Sequence, residues 1–169
     1  EAGYPAGFEV GFMCPNDRYV NDSEICQAVA AMLARVGIKA NLVAESKATY
    51  FAKILRRDTS FFLLGWTPAT YDSHNALFAL MASPGEGGRG QFNLGVYSNK
   101  RVDELTAAIA SETDPKKRLA MISEAFRIHH DEVGHLPLHQ QALTWAMKRN
   151  IELVQLADNF NYLRWVTVK

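Results

Sequence analysis

The sequence predicts an α/β fold, and three hydrophobic patterns carry that prediction. Residues 8–13 alternate apolar and polar side chains, which is typical of a strand. Apolar positions at helical spacing follow in 25–36, and a second extended run covers 38–44. The run 61–66 is almost wholly apolar, as expected of a strand covered on both faces. Strands that alternate with helices in this way indicate strand–helix–strand units.

The bulk composition narrows the class of protein. The chain has 169 residues, of which 48% are apolar and 21% charged; this suffices for one ordinary domain and excludes a disordered chain. Its 18 basic and 18 acidic side chains cancel, so the charge gives no support for a nucleic-acid partner. No apolar run approaches the ~20 residues that span a bilayer, so we expect a protein that is not membrane-embedded. The first residues hold neither a signal peptide nor an initiating Met, which favours a mature product or an excised fragment.

The first strand and helix are bounded by recognisable signals. The segment 14–17, with Pro15, breaks the first strand, and Asn21, Asp22 or Ser23 is suited to cap the helix that follows. Gly37 is placed to end that helix before the second strand.

Two cysteines lie in this first unit, and the residues leave two interpretations open. Cys14 and Cys26 are either two half-buried thiols or a disulfide that ties the strand end to the first turns of the helix. Export to an oxidising compartment would permit the bond. The cysteines and histidines do not complete a zinc pattern.

The remainder of the chain is predicted to be mainly helical, with one late strand. Asp114 is placed as a cap and Pro115 at the first position of the longest helix, which Gly134 ends. The expected helices are 48–56, 75–81, 99–112 and 115–133, and the expected strand is 136–147, ahead of a tail with short extended runs.

The candidate binding site lies where the apolar run 61–66 ends. An aromatic residue followed by a polar loop and a helix start is how α/β proteins build ligand mouths at the carboxyl ends of strands. Trp66 is either a wall of such a mouth or a core residue, and His74 is expected to face solvent. The predicted ligand-contacting residues are Trp66, Thr67, Ala69, Thr70, Tyr71 and Asp72.

Catalysis and metal binding are not predicted. Asp72 and His74 are the best acid and base candidates, but two polar residues at a helix start are too common to indicate an enzyme. His129 and His130 are adjacent on a helix and point about 100° apart, so they cannot easily share one ion, even with His135 nearby. We therefore expect no enzyme activity, no cofactor and no metal site.

Six short motifs in register resemble one known family. The segments are 3–10, 25–43, Gly65-Trp66 with Asp72, Tyr97-Ser98-Asn99 with 102–105, Asp114-Pro115 with Arg118, and Leu136-Pro137-Leu138-His139. Together they resemble the second lobe of the family 5 solute-binding proteins of ABC importers, which capture dipeptides, oligopeptides and nickel chelates.

The resemblance implies a fold and a function. It implies a periplasmic-binding-protein-like second lobe over 1–148, with βαβ units packed by helices, and a tail over 149–169 that returns to a first lobe. It also implies an exported, periplasmic protein that binds peptides or peptide-like solutes in a cleft between two lobes and delivers them to the membrane permease of an ABC transporter.

One departure from the family pattern leaves the solute open. Peptide-binding members carry an Asp, three residues after the Trp, that pairs with the peptide amino group; here that position is Ala69. Either Asp72 replaces it, or the solute is not a peptide with a free N-terminus. The run Tyr71-Asp72-Ser73-His74 is similar to that of nickel-chelate binders, with Ser73 in place of a Pro. A metal chelate, an opine-like solute and a sensory peptide receptor on the same fold are the alternatives.

Overall fold

The computed structural model of the chain describes residues 3–68, 70–156 and 160–169. It contains both helices and strands, which confirms the mixed class predicted from the sequence. The chain forms two compact units, of which the first ends at Gly65 and the second begins at Trp66. The predicted boundary between residues 148 and 149 remains a prediction.

The first unit is built on a strand–helix–strand motif. Its elements are β1 (Phe8–Pro15), α1 (Asp22–Ala34), β2 (Ile38–Glu45) and α2 (Lys47–Leu55). Strands β1 and β2 are parallel neighbours, paired from Phe8 opposite Ile38 to Pro15 opposite Glu45. Gly7 enables this pairing, because a Cβ there would lie 1.9 Å from the carbonyl oxygen of Gly37.

The core of this unit contains a disulfide bond. Cys14 on β1 and Cys26 on α1 are both fully buried, and their Cα atoms lie 6.4 Å apart. Of the two interpretations left open by the sequence, the structure contains the bonded one. The rings of Phe12 and Phe61 stack beside the disulfide with their centroids 4.4 Å apart, so the disulfide lies in apolar surroundings.

The carboxylate of Asp22 organises the turn before α1. It accepts hydrogen bonds from the backbone N–H groups of Arg18, Tyr19 and Ser23. Burial by itself would raise the pKa of Asp22, but these hydrogen bonds hold it below its ordinary value. Asn21 occupies the cap position, but its side chain makes no capping hydrogen bond. The carboxylate of Asp22 instead accepts from the N–H groups of this turn.

The third strand expected over 61–66 is not formed. The segment makes only a single parallel bridge to β1, with Phe62 opposite Met13. The hydroxyls of Tyr50 and Tyr19 donate to the carbonyl oxygens of Leu63 and Gly65, respectively. Side chains thus satisfy carbonyls that a neighbouring strand would otherwise have bonded, and the ladder stops after one bridge.

The second unit is mainly helical. Its elements are α3 (Ser73–Ala76), a π-helix (Leu77–Met81), a short 3₁₀ turn (Glu86–Gly88), α4 (Lys100–Ile109), α5 (Pro115–Asp131), β3 (Ile151–Glu152), a second 3₁₀ turn (Leu163–Trp165) and β4 (Thr167–Val168). The two short strands pair antiparallel. The core lies between the π-helix, α4 and α5 and comprises Leu77, Leu105, Ile109, Ile122 and Ala125.

Side-chain caps begin the two long helices. Asn99 accepts from the backbone N–H groups of Arg101 and Val102, at the start of α4. Asp114 caps α5 in the same way, with Pro115 at its first position, as the sequence predicts.

One predicted element of this unit is formed and one is absent. The segment expected to be helical, 75–81, is helical: α3 begins at Ser73 and continues from Leu77 as a π-helix. The strand expected over 136–147 is absent: the segment has no regular element, and Leu136, Leu138 and Trp145 are exposed. Within the described ranges no strand pairs with this segment, so its alternating apolar pattern has no sheet to join.

Candidate functional site

The predicted loop begins at Trp66, whose indole is held from two sides. Its Nε1–H donates to Oδ1 of Asn75 at 2.8 Å, and its ring centroid lies 5.0 Å from that of Phe92. The side chain is half-buried. Trp66 is therefore neither a fully buried core residue nor a free surface residue, and it presents part of a fixed aromatic ring to solvent.

The next residues form the exposed part of the loop. Thr67, Thr70 and Tyr71 are exposed, and the Tyr71 side chain is 57% accessible. Tyr71 has a φ of +52°, and its N–H donates to the carbonyl of Pro68. A bulky side chain in this left-handed region costs roughly 1–2 kcal/mol, so the turn is held by its surroundings. Ala69 lies outside the described residues.

Asp72 ends the loop and accepts three hydrogen bonds from protein donors. It caps α3, with Oδ1 accepting from the backbone N–H of His74 at 2.8 Å. Nη2 of Arg118 donates to Oδ1 and to Oδ2, both at 2.9 Å. The hydrogen bond from Arg118, and then that from the His74 backbone, holds the pKa of Asp72 below its ordinary value. Asp72 is thus a carboxylate whose two oxygens already have partners.

Arg118 is the residue of this site that sequence reasoning did not select. It lies on α5, and its Nε also donates to the carbonyl of Ile109, at the end of α4. The motif that contains Arg118 was recognised, but no local pattern relates it to an aspartate 46 positions earlier. Only the packing of α5 beside the loop brings the two residues together.

His74 does not face solvent, and the expectation that it does is wrong. Its Nε2 lies 3.0 Å from the backbone carbonyl oxygen of Thr106 on α4. A carbonyl only accepts, so Nε2 carries the hydrogen and donates it. The half-buried ring lies 5.8 Å from that of Phe78, because α4 packs against this side of the segment.

These side chains line one pocket. It has a volume of about 360 Å³ and joins the loop to α4 and α5. Its lining includes Thr70, Asp72, His74, Asn75, Phe78 and Arg118. Two of the six predicted ligand residues, Thr70 and Asp72, therefore contribute to a concave surface, and Trp66 is bonded to a third lining residue, Asn75.

A second titratable cluster lies at the end of α5. His129 is only 4% exposed, and its Nε2 lies 2.7 Å from Nδ1 of His135. Burial, with a smaller contribution from His135, lowers the pKa of His129 to about 4. Gly134 fits against this ring because a Cβ there would lie 2.3 Å from its Cε1 atom.

The described residues contain no metal-ligand cluster and no membrane-spanning helix. No three His, Cys, Asp or Glu side chains within those ranges converge into a group that could hold a metal ion. None of the helices described there is both long and apolar enough to cross a bilayer.

Comparison with known proteins defines the class. Residues 1–88 match the family described as "Bacterial extracellular solute-binding proteins, family 5 Middle". The glutathione-binding protein GsiB of Salmonella paratyphi A is 30% identical in an alignment of 156 positions, which covers 89% of this chain and 30% of that protein. The chain thus spans about 30% of the length of the curated relatives it matches.

Solved structures share the fold. The periplasmic binding protein DppA of Helicobacter pylori, in complex with the peptide STSA, superposes with a TM-score of 0.77 at 19% identity, covering 99% of this chain and 32% of that one. The Escherichia coli murein tripeptide binding protein MppA gives a TM-score of 0.80 at 17% identity, covering 95% of this chain and 31% of that one. The fold is therefore that of a part of the periplasmic binding proteins.

The family match places the chain in a class of solute-binding proteins. Within that class it is a member of the bacterial extracellular solute-binding proteins, family 5.

Proposed function

We propose that this chain is the second lobe of the solute-binding component of an ABC importer, and that its loop from Trp66 to Asp72 forms one wall of the solute cleft. The family of the chain supports the general role. The observation that carries the site is the fixed, half-buried indole of Trp66 beside the exposed Thr67, Thr70 and Tyr71. An aromatic ring that is already immobilised offers a large contact area at a small entropic cost.

The proposed solute is a peptide or a peptide-like molecule. The names of the similar proteins point to this class: one binds glutathione, one was solved with a tetrapeptide, and one binds a murein tripeptide. A metal chelate or an opine-like solute remains the alternative, because the only carboxylate among the described loop residues, Asp72, is already paired with Arg118.

The remainder of the proposed cleft is supplied by a first lobe in the full-length protein. The relatives are about three times as long as this chain, and each of the two matched structures is covered by about a third. Large apolar side chains stay exposed in the C-terminal part, including Leu136, Leu138, Trp165 and, at 85% exposure, Leu163. We infer that the tail 149–169 packs on that first lobe, which would cover such side chains.

The proposed location is the periplasm, and the proposed partner is the membrane permease of the importer. The buried Cys14–Cys26 bond fits an oxidising compartment. Closure of the two lobes on the solute would present a changed surface to the permease.

The test is to identify the solute directly. The full-length protein is purified without denaturation, and any bound molecule is released and identified by mass spectrometry. Calorimetric titration of the stripped protein with that molecule then gives its affinity. A peptide or modified peptide supports the proposal, a nickel chelate or an opine favours the alternative, and turnover of the molecule would contradict a binding role.

Transport and sensing are separated by a second measurement. Uptake of the labelled solute is compared in cells with and without the gene of the full-length protein. Loss of uptake supports transport, whereas intact uptake with a lost response to the solute favours a sensory receptor.

A further inference from the structure

We propose that the pocket beside the loop receives a hydrogen-bond-accepting group of the solute, a carboxylate or a peptide carbonyl, and not a free ammonium group. This inference rests on the proposed function and names the chemistry of the solute at one position. It depends on which polar atoms of the pocket lining already have hydrogen-bond partners and which do not. The polar lining residues are Thr70, Asp72, His74, Asn75 and Arg118.

Among the described residues of the pocket lining, the one carboxylate, that of Asp72, already pairs with a guanidinium. Both oxygens of Asp72 accept from Nη2 of Arg118, and Oδ1 also accepts from the His74 backbone. The charges of Asp72 and Arg118 therefore cancel inside the lining. The described donors leave one acceptor site on Oδ2, but an ammonium group bound there would share the carboxylate with Arg118 and meet its like charge.

Asn75 supplies the first unused donor. The indole Nε1–H of Trp66 can only donate, so it fixes the side-chain amide of Asn75 with Oδ1 toward Trp66. The Nδ2 amide group of Asn75 then has two hydrogens, and within the described residues neither is donated to a protein acceptor.

Arg118 and Thr70 supply the other donors. Nη2 and Nε of Arg118 are engaged, while Nη1 donates to no acceptor in the described part of the chain. Oγ1 of Thr70 accepts from the Asp72 backbone N–H, which leaves its own hydrogen for donation. The acceptors that oppose these donors are the remaining site on Oδ2 of Asp72, whose charge Arg118 offsets, and a remaining lone pair of Thr70.

The balance of groups therefore favours an acceptor. A carboxylate or carbonyl that enters the pocket satisfies Asn75 Nδ2 and Arg118 Nη1 and leaves the Asp72–Arg118 pair intact. Hydrogen bonds from a charged donor are stronger than neutral ones. A contact with Nη1 of Arg118 therefore favours solutes that place an acceptor in the pocket.

The variant Asn75→Asp tests the sign of this preference in the full-length protein. Asp keeps an oxygen for the Trp66 indole and replaces the donating Nδ2 with an acceptor of nearly the same shape. The probes are trialanine, N-acetyl-trialanine and trialanine amide, titrated calorimetrically into protein stripped of ligand. Asn16→Asp, an exposed position of the first unit, is the control that adds the same charge elsewhere.

We expect Asn75→Asp to weaken binding of trialanine at least tenfold and Asn16→Asp to leave it unchanged within threefold. N-acetylation should change the affinity of the unmodified protein by less than threefold. Amidation that weakens binding tenfold assigns the pocket to the terminal carboxylate, and amidation without effect assigns it to a peptide carbonyl.

Tighter binding by Asn75→Asp, or loss of binding on N-acetylation, would overturn the acceptor assignment and leave the proposed function standing. Failure of all three probes to bind correctly folded, stripped protein would overturn both. The melting temperature of each variant shows whether it is folded. The comparison of trialanine with N-acetyl-trialanine uses the unmodified protein and so does not depend on any variant.

Discussion

Arg118 donates from its Nη2 to both carboxylate oxygens of Asp72, at 2.9 Å each, across 46 positions of sequence. The pair joins α5 to the end of the candidate binding loop, and Asp72 in turn caps α3. Because loop, cap and helix share one carboxylate, the conformation of the loop depends on a residue that does not belong to it.

Breaking this pair should loosen the loop at a modest cost in stability. Both partners are partly exposed, so solvent screens the pair and we expect a coupling free energy of about 1 kcal/mol. The measurement is a double-mutant cycle of Asp72→Asn and Arg118→Gln by urea unfolding, since Asn retains an acceptor for the cap. Strictly additive effects of the two changes would show that the contact does not hold the loop.

Removing the indole of Trp66 should weaken solute binding by the full-length protein. Trp66→Ala removes a fixed aromatic contact, and we expect a loss of roughly 1–3 kcal/mol in binding free energy. The measurement is affinity by calorimetry with melting temperature on the same sample, and Trp165→Ala, which removes an indole of the tail, is the control. A large fall in melting temperature with unchanged affinity of the folded fraction would assign Trp66 to the core.

Stability should decrease with acidification because of His129. Its pKa in the folded protein is about 4, below the ordinary 6.5, so the unfolded chain binds a proton that the folded chain resists. The stabilisation is fully present above about pH 6.5 and is lost as the pH falls through about 4, by about 3 kcal/mol in total.

The measurement for His129 is the free energy of unfolding between pH 4 and 8. His129→Gln should flatten the curve between pH 6.5 and 4, whereas His130→Gln, an exposed neighbour on the same helix, should not. Nearby groups that also respond are His135, in contact with the ring, and Glu132, so each variant is compared with the unmodified chain. Parallel curves for the unmodified protein and His129→Gln would exclude this residue as the cause.

Loss of the disulfide should destabilise the protein without changing its fold. The bond closes a short loop between residues 12 positions apart, and the chain-entropy model gives about 3 kcal/mol for a loop of that length. Replacing Cys14 and Cys26 together by Ala avoids leaving a buried thiol or hydroxyl. Unfolding in urea measures the loss, and two free thiols in the denatured, air-purified protein would show that the bond does not form.

The strand–helix–strand start and the cap of α5 followed from local patterns. Alternation, helical spacing and a capping side chain act over a few residues, so the chain itself carries these signals. Asn99 and Asp114 cap the helices because their oxygens reach N–H groups only two or three positions away. The motifs that placed the chain in family 5 are of the same kind, each short and in register with the next.

Contacts between distant positions were decided by the tertiary structure alone. The apolar run 61–66 has the composition of a buried strand, yet hydroxyls of Tyr19 and Tyr50 take its carbonyl oxygens and the ladder stops at one bridge. Whether Asp72 was free for a ligand depended on Arg118, and no spacing rule relates residues 46 positions apart. Sequence by itself determined the α/β fold class, the strand–helix–strand start and the location of the loop, because these depend on local periodicity and short motifs. Packing decided which polar atoms in that loop are already bonded, because hydrogen bonds form between neighbours in space.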